Sequence, residues 1–449
     1  MNSHDDYYLE KSRACEDHGI IPGELYDEFD VKKGLRDKEG KGVVTGITRI
    51  SKLNGYETVN DKRVPMEGKL AYRGYDINDL VYKHGDTKLR FEEAAYLLLF
   101  GDLPNRDEVE VFRAIVEDNM RLPTSFLNRV IFRENCGDIM NTMARGILEL
   151  ETYDKDIGNT SVEHVLKQSM RILSVAPMLA VYGYHAHNHY DKDKSLVIHR
   201  PNHKLTVAEN ILHMLHTDGK YSELEAMALD AALTVHMEHG GGNNSAFTTR
   251  VITSAGSDTY SVIAAAILSL KGPKHGGANI KAIQMMDDLR HHVTDPHDDA
   301  QIRDYLTRLM NKEAFDGSGL VYGFGHAVYS ISDPRAKILK DFVTRLAKEK
   351  GYQKELAYYE AVERIAPEMI SERRRTTIRT CINVDYYSGL LYRMLKIPEE
   401  LYTPIFAIAR IAGWSAHRIE EIVSSGKIIR PAYVSIAEDR EYVPLEKRE

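Results

Sequence analysis

At 449 residues the chain is long enough for two or three domains and at least one large core, and 43% hydrophobic with 28% charged residues is an ordinary globular composition. A net charge of −8 argues against general nucleic-acid binding. Three cysteines, Cys15, Cys136 and Cys381, stand far apart without a CxxC pair, so they form neither a disulfide framework nor a zinc site and suit a reducing cytosol. The opening MNSHDDYYLEKSRACEDHG lacks the apolar core of a secretory signal and is too acidic for a transit peptide. No apolar run reaches the roughly 18 residues of a membrane span. A cytoplasmic chain is expected.

Residues 1–35 carry no interpretable pattern; a dimer arm and a disordered segment both fit. Residues 41–75 read as short strands and turns, with GVVTGITRISKLNGYETV and KLAYRGYDI punctuated by Gly and Asn. Nearly everything after them reads as helix. FEEAAYLLLFG (91–101) is apolar on one broad face and stops at Gly101, and NRDEVEVFRAIVEDNM (105–120) and TVAENILHMLH (206–216) follow the same pattern. SELEAMALDAALTVHMEH (222–239) opens with a capping box, Ser222 and Glu225, and three glycines end it. SVIAAAILSLK (261–271) stops at Gly272-Pro273, and ANIKAIQMMDDL then holds Ile280, Ile283, Met286 and Leu289 in helical register. HHVTDPHDD (291–299) and DGSGLVYGFGH (316–326) are candidate mobile segments. The fold class is mainly α with a small β element near the N-terminus.

Several segments pair glycine with polar chemistry, and each also has a plain structural explanation. In HMEHGGGNNSAF (236–247), His236 and His239 lie three apart at a helix end, where free carbonyls favour an imidazolium; a glycine C-cap explains the same residues. In GPKHGGAN (272–279), His275 precedes a helix whose positive end keeps an imidazole neutral and able to donate to an oxygen gaining charge; close helix packing at the glycines is the alternative. In GFGHAVYSISDPR (323–335), His326 and Arg335 flank a loop in which Asp333-Pro334 starts a helix. In INVDYYSGLLYRM (382–394), Asp385 sits among apolar and aromatic residues, where burial raises a carboxyl pKa and makes a better base; capping the next helix is its bland role. Arg410 is the one charge in PIFAIARIAGW (404–414) and lies off the stripe Leu401, Ile405, Ile408, Ala412, Ile419. Once buried, it requires an anionic partner, either a protein carboxylate or a bound one, and a carboxylate suits its fork.

Together and in this order, HGGAN, GFGH with DPR, and NVD resemble the citrate synthases, with a likeness running from YRGYDINDL to IIRPAY. The resemblance implies a two-domain, citrate-synthase-like helical fold and a homodimer. It divides the chain into a large domain over 1–281, a small mobile domain over 282–396 on the coenzyme A side, and a return to the large domain over 397–449. It implies a condensation of acetyl-CoA with oxaloacetate, then hydrolysis to citrate and CoA, without metal or cofactor. His275 would hydrogen-bond the thioester oxygen, Asp385 would remove the methyl proton, and His326 would polarise the keto oxygen. His239, Arg335 and Arg410 would bind carboxylates, and Arg430 would reach the partner subunit's site.

Some positions depart from that family's pattern. Gly240 stands where Glu is usual, Cys381-Ile382 replaces an aromatic-Pro pair, and Ser330 falls where a basic or amide residue helps hold the CoA phosphates. ERRRTTIR (372–379) is another source of positive charge, or a solvated helix face. The rival within enzymes is 2-methylcitrate synthase, which takes propionyl-CoA; one methylene discriminates by only about 1–3 kcal/mol. A non-catalytic binder of CoA or dicarboxylates is the rival of another class. A metal-binding reading rests on 19 histidines and YHAHNHYDKD (184–193), which is expected to be an exposed loop.

Overall fold

The computed structural model of the chain describes residues 3–37, 40–60, 62–84, 88–132, 137–375, 380–424 and 426–448. Its packing divides into two compact units, one made of the terminal segments Met1–Gly46 and Arg430–Glu449, the other of Ile47–Ile429. In the terminal unit, α1 (Ser3–Gly19) and α2 (Gly23–Glu28) are exposed helices without a core between them.

The main unit opens with an antiparallel meander, β1 (Ser51–Val59), β2 (Lys62–Tyr72) and β3 (Tyr75–Asp76). The β2–β3 hairpin turns on two left-handed residues, Arg73 at φ 49° and Gly74 at φ 97°, as a two-residue hairpin requires. Arg73 then anchors the turn by donating to Leu98 O at 2.8 Å. The strands begin ten residues later than the sequence suggests, because residues 43–47 have no partner strand among the described residues. The sheet lies against the segment after His326. A Cβ on Gly55 would stand 2.3 Å from Val328 O, one on Gly68 would stand 2.1 Å from Ser332 O, and Tyr329 Oη donates to Lys69 O at 3.3 Å.

Helices follow: α3 (Ile77–Tyr82), α4 (Arg90–Phe100), α5 (Arg106–Asn119), the single turn α6 (Thr124–Phe126), α7 (Ile139–Leu150) and α8 (Val162–Lys192). Gly101 ends α4 at φ 104°, and Asn105 with Glu108 boxes the start of α5, both where the sequence signals them. YHAHNHYDKD is no exposed loop. It is the last part of the 31-residue α8, which ends only at left-handed Asp193, and His185 and Ala186 are buried there, with His185 Nε2 3.0 Å from Met214 O. Asn188 is buried as well, so the helix continues its inward face through polar residues.

Next come α9 (Val207–Leu215), started by a capping box of Thr206 and Glu209, and α10 (Glu223–His236), started by the expected box of Ser222 and Glu225, then α11 (Asn244–Ser254), α12 (Thr259–Lys271), α13 (Ala278–His292) and α14 (Asp299–Met310). The last four are α15 (Pro334–Lys350), α16 (Gln353–Arg374), α17 (Val384–Met394) and α18 (Tyr402–Ser424). α18 packs against α4, α8, α10, α11 and α12. Every residue from Tyr402 to Arg418 except Phe406 is buried. A helix enclosed on all sides has no outward face, so Arg410 is buried although it lies off the apolar stripe. No helix among the described residues is long and apolar enough to cross a membrane.

Candidate active site

Four residues of α18 shape the turn after α10. Arg410 Nε donates to His236 O at 2.9 Å, tying the end of α10 to α18. One turn on, a Cβ on Gly413 would stand 2.3 Å from Met237 O, so only glycine lets this chain segment pass. Trp414 Nε1 donates to Ser245 Oγ at 3.2 Å, and His417 Nε2 stands 3.0 Å from Glu238 Oε2. His417 Nδ1 accepts from Arg250 Nη2 at 2.7 Å, which leaves its proton for the side facing Glu238. Burial opposes ionisation of Glu238, but His417, Arg410 and the Ser51 hydroxyl pull its carboxyl down to about 2.

α10 ends at His236, and His239 lies on the turn beyond it. Both are buried, and burial together with Arg335 and Arg410 drives both pKa values well below the ordinary histidine range. The imidazolium expected at a helix end is therefore not formed: desolvation outweighs the dipole. His239 Nε2 has no hydrogen-bond partner among the described residues and lies in the wall of a cavity. Gly240 follows at φ 88°, a conformation that would strain the Glu usual there.

His275 occupies the turn between α12 and α13. Its Nε2 faces the Ser245 N–H at 3.3 Å and the Ser245 Oγ at 3.1 Å. A backbone N–H can only donate, so Nε2 is an acceptor and the proton belongs on Nδ1. Burial and the nearby Arg410 depress the His275 pKa to about 4, keeping the ring neutral. The neighbouring glycine has an internal cause: a Cβ on Gly276 would stand 2.3 Å from Leu270 O and 2.8 Å from Thr403 Cγ2. Close packing of the chain on itself thus explains the glycine, and the ligand reading explains only the histidine.

GFGH and NVD meet through a short antiparallel bridge between Phe324 and Ile382. Gly325 N–H donates to Cys381 O and Asn383 N–H to Gly323 O, each at 2.9 Å. Gly323, at φ 81°, has the Tyr386 ring 2.7 Å from where a Cβ would be. Past the bridge, His326 Nδ1 accepts from the N–H groups of Val328 at 3.0 Å and Tyr329 at 3.2 Å, so its proton is on Nε2. Its ring stacks on Tyr329 and stands edge-on to His239 at 4.8 Å.

Asn383, not Asp385, caps α17, accepting from the Asp385 N–H at 3.0 Å. The Asp385 carboxylate accepts no hydrogen bond from the described residues. Burial pushes it up to about 6, with Arg335 and Arg410 only partly opposing. Arg335 sits in the first turn of α15 and forks onto its cap, Asp333, at 3.0 and 2.7 Å, with both side chains buried. Arg410 is 1% exposed; its Nη1 has no partner among the described residues, and burial lowers its pKa to about 10 against the pull of Glu238. Buried donors without partners are rare and fit an anionic ligand.

His239, His275, His326, Arg335, Asp385 and Arg410 line one cavity of about 160 Å³, together with Asn243, Asn383 and Phe406. Arg430 is exposed and belongs to the terminal unit. Ser330 is buried and lines a different, larger cavity beside Cys381 and Lys337, and of ERRRTTIR residues 376–379 fall outside the described residues, as does Cys136. The described residues contain no group of three His, Cys, Asp or Glu arranged to hold a metal ion.

Asn243, Ser245, Glu238, Trp414 and His417 were not singled out from the sequence. A signal existed: Gly413, Trp414 and His417 stand three, four and seven residues after Arg410, on one helix face. The stripe through Ile405, Ile408 and Ala412 concealed it.

A family model described as citrate synthase, C-terminal domain, matches residues 37–432. The citrate synthase of Synechocystis sp. is 32% identical over 92% of this chain and 94% of its own length. 2-Methylcitrate synthase 2 of Corynebacterium glutamicum is also 32% identical, over 93% of this chain and 98% of its own. Among solved structures, the ternary complex of Thermoplasma acidophilum citrate synthase with carboxymethyl coenzyme A and oxaloacetate has a TM-score of 0.75 at 26% identity, covering 93% of this chain and 99% of that one. Citrate synthase from Thermotoga maritima has a TM-score of 0.70 at 29% identity, covering 92% and 99%. The mainly helical fold with its small sheet is the fold of these enzymes. On sequence likeness along most of its length and on fold, the chain belongs to the citrate synthase family of acyltransferases.

Proposed function

We propose that the chain condenses acetyl-CoA with oxaloacetate and hydrolyses the resulting citryl-CoA to citrate and CoA, a step of the tricarboxylic acid cycle. The observation that carries this reading is the cavity that sets a carboxylate of raised pKa, a neutral imidazole and two buried guanidinium groups around one small volume. Asp385 takes a methyl proton from the thioester, and His275 donates from Nδ1 to the thioester oxygen as it becomes an enolate. A well-placed donor to a developing oxyanion contributes about 3–4 kcal/mol, so base and donor act on one substrate together. His326 donates from Nε2 to the keto oxygen of oxaloacetate, whose carboxylates are held by Arg335, Arg410 and His239. The enolate carbon attacks that carbonyl, and water then cleaves the thioester.

No metal or resident cofactor takes part in this scheme. The working form is a cytoplasmic homodimer in which Arg430 reaches the partner subunit's site and residues 282–396 form a small domain that closes over the substrates. Relatives named 2-methylcitrate synthase at similar identity support propionyl-CoA as the second reading. Release of CoA thiol with oxaloacetate, measured at equal acetyl-CoA and propionyl-CoA, decides between them. Preference for propionyl-CoA replaces the first reading by the second, and no thiol from folded protein with either refutes both and leaves a non-catalytic binder.

A further inference from the structure

We propose that Phe406 sets the length of acyl group that the cavity accepts, its ring being the wall that stops the chain. The inference rests on the reaction proposed above and names the residue that chooses between its two acyl-CoA substrates.

Phe406 is the one residue of α18 between Tyr402 and Arg418 that is not buried, and it lines the cavity. Its neighbours along the same helix face show what lies to either side. Thr403, three residues before it, donates to Gly276 O at 3.0 Å, next to the histidine assigned to the thioester oxygen. Arg410, four residues after it, is a guanidinium assigned to an oxaloacetate carboxylate. Phe406 therefore stands between the thioester end and the dicarboxylate end, where the reacting acyl carbon has to lie.

The lining leaves few surfaces on which that carbon can rest. Among the described residues around the cavity, only Phe406 and Val384 carry apolar side chains; the others are charged, amide or imidazole groups and Gly276. Val384 is 4% exposed, so the half-buried Phe406 supplies more of the apolar wall. When Asp385 takes a proton from an acetyl group, the carbon keeps two hydrogens. In a propionyl group a methyl replaces one of them, and that methyl has only the apolar wall to turn to.

The ring is also held in place. It lies 4.7 Å from the Arg410 guanidinium and 4.4 Å from the ring of fully buried His236, and Arg410 Nε donates to His236 O at 2.9 Å. A cation against an aromatic ring is itself attractive. Three side chains thus brace one another, and the wall does not retreat to admit an extra carbon.

The experiment compares kcat/KM for acetyl-CoA and propionyl-CoA, at saturating oxaloacetate, in the intact chain, Phe406→Leu, Phe406→Met and Val384→Ala. The ratio of propionyl-CoA to acetyl-CoA should rise about tenfold in Phe406→Leu, the lower end of what one methylene discriminates in an apolar pocket. Phe406→Met keeps more of the volume in a flexible side chain and guards against failure to fold; its ratio should rise by a smaller factor. Loss of the ring from Arg410 weakens oxaloacetate binding alike with either acyl-CoA, so the ratio isolates the acyl contact. A ratio unchanged within about twofold, in folded Phe406 variants that still bind oxaloacetate, overturns the proposal. A shift in Val384→Ala alone also overturns it and places the wall on α17. If the intact chain prefers propionyl-CoA, the acetyl reading falls, and Phe406 is tested one carbon further, by butyryl-CoA over propionyl-CoA. If it releases no thiol, the assigned reaction falls, and the ratio is taken from calorimetric affinities for the two acyl-CoAs with oxaloacetate present. An unchanged ratio there overturns the role of Phe406 as well.

Discussion

Asn383 joins two walls of the candidate cavity: its Nδ2 donates to Gly325 O at 3.0 Å while its Oδ1 accepts the Asp385 N–H at 3.0 Å. One side chain thus fixes the spacing between the residue before His326 and Asp385, the proposed base. Asn383→Ala loses the cap of α17 and the cross-link together. The expected result is a stability loss of about 1–2 kcal/mol with a larger proportional fall in kcat than in oxaloacetate affinity, measured by chemical denaturation and steady-state kinetics. Equal kcat in the folded variant would show that the cross-link does not set the geometry.

Asp385→Asn should lower kcat by at least about 10³ through loss of the base while oxaloacetate still binds, as calorimetry would record. The same variant should be more stable than the parent at pH 8. A carboxyl raised from 3.8 to about 6 by burial stabilises the fold when protonated, and that contribution fades as pH rises through 6. The gain is up to about 3 kcal/mol at pH 8 and vanishes near pH 4. Melting curves at the two pH values test the sign.

The acid limb of kcat/KM for acetyl-CoA should have an apparent pKa near 6, set by Asp385 in the free protein. His275, depressed to about 4, stays neutral across this limb and contributes no second inflection above pH 5. A single limb near 4 would assign the base to another group.

Arg335 and Arg410 should separate on substitution by Met. Arg335→Met strands the buried Asp333 carboxylate, at a cost of about 3–5 kcal/mol in stability besides weaker oxaloacetate binding. Among the described residues Arg410 forks onto no carboxylate, so Arg410→Met should raise the KM for oxaloacetate at least about tenfold with a much smaller fall in melting temperature. Similar stability losses in both variants would contradict this division.

Mixing Arg430→Ala subunits with Asp385→Ala subunits, each inactive alone, should restore part of the activity as heterodimers form. No recovery, with exchange confirmed by mass spectrometry, would remove Arg430 from the partner's site.

Much of this protein was determined by its sequence alone. The capping boxes at Ser222 and Thr206, the stop at Gly101 and the Asp333-Pro334 helix start are local events, decided by a few consecutive residues. The site histidines and Asp385 were legible because glycine beside a polar group, or a charge amid aromatics, is unusual within a short window. Tertiary structure decided what depends on residues far apart in the chain. The charge states of His236 and His239 follow from burial beside Arg335 and Arg410, not from the helix end they stand near. The glycine at 276 answers to Leu270 and Thr403, and the tautomers of His275 and His326 answer to N–H groups that only folding brings within about 3 Å. Trp414 and His417 gained their partners because α18 is enclosed on every side, and no periodicity along one helix can reveal what packs against its second face.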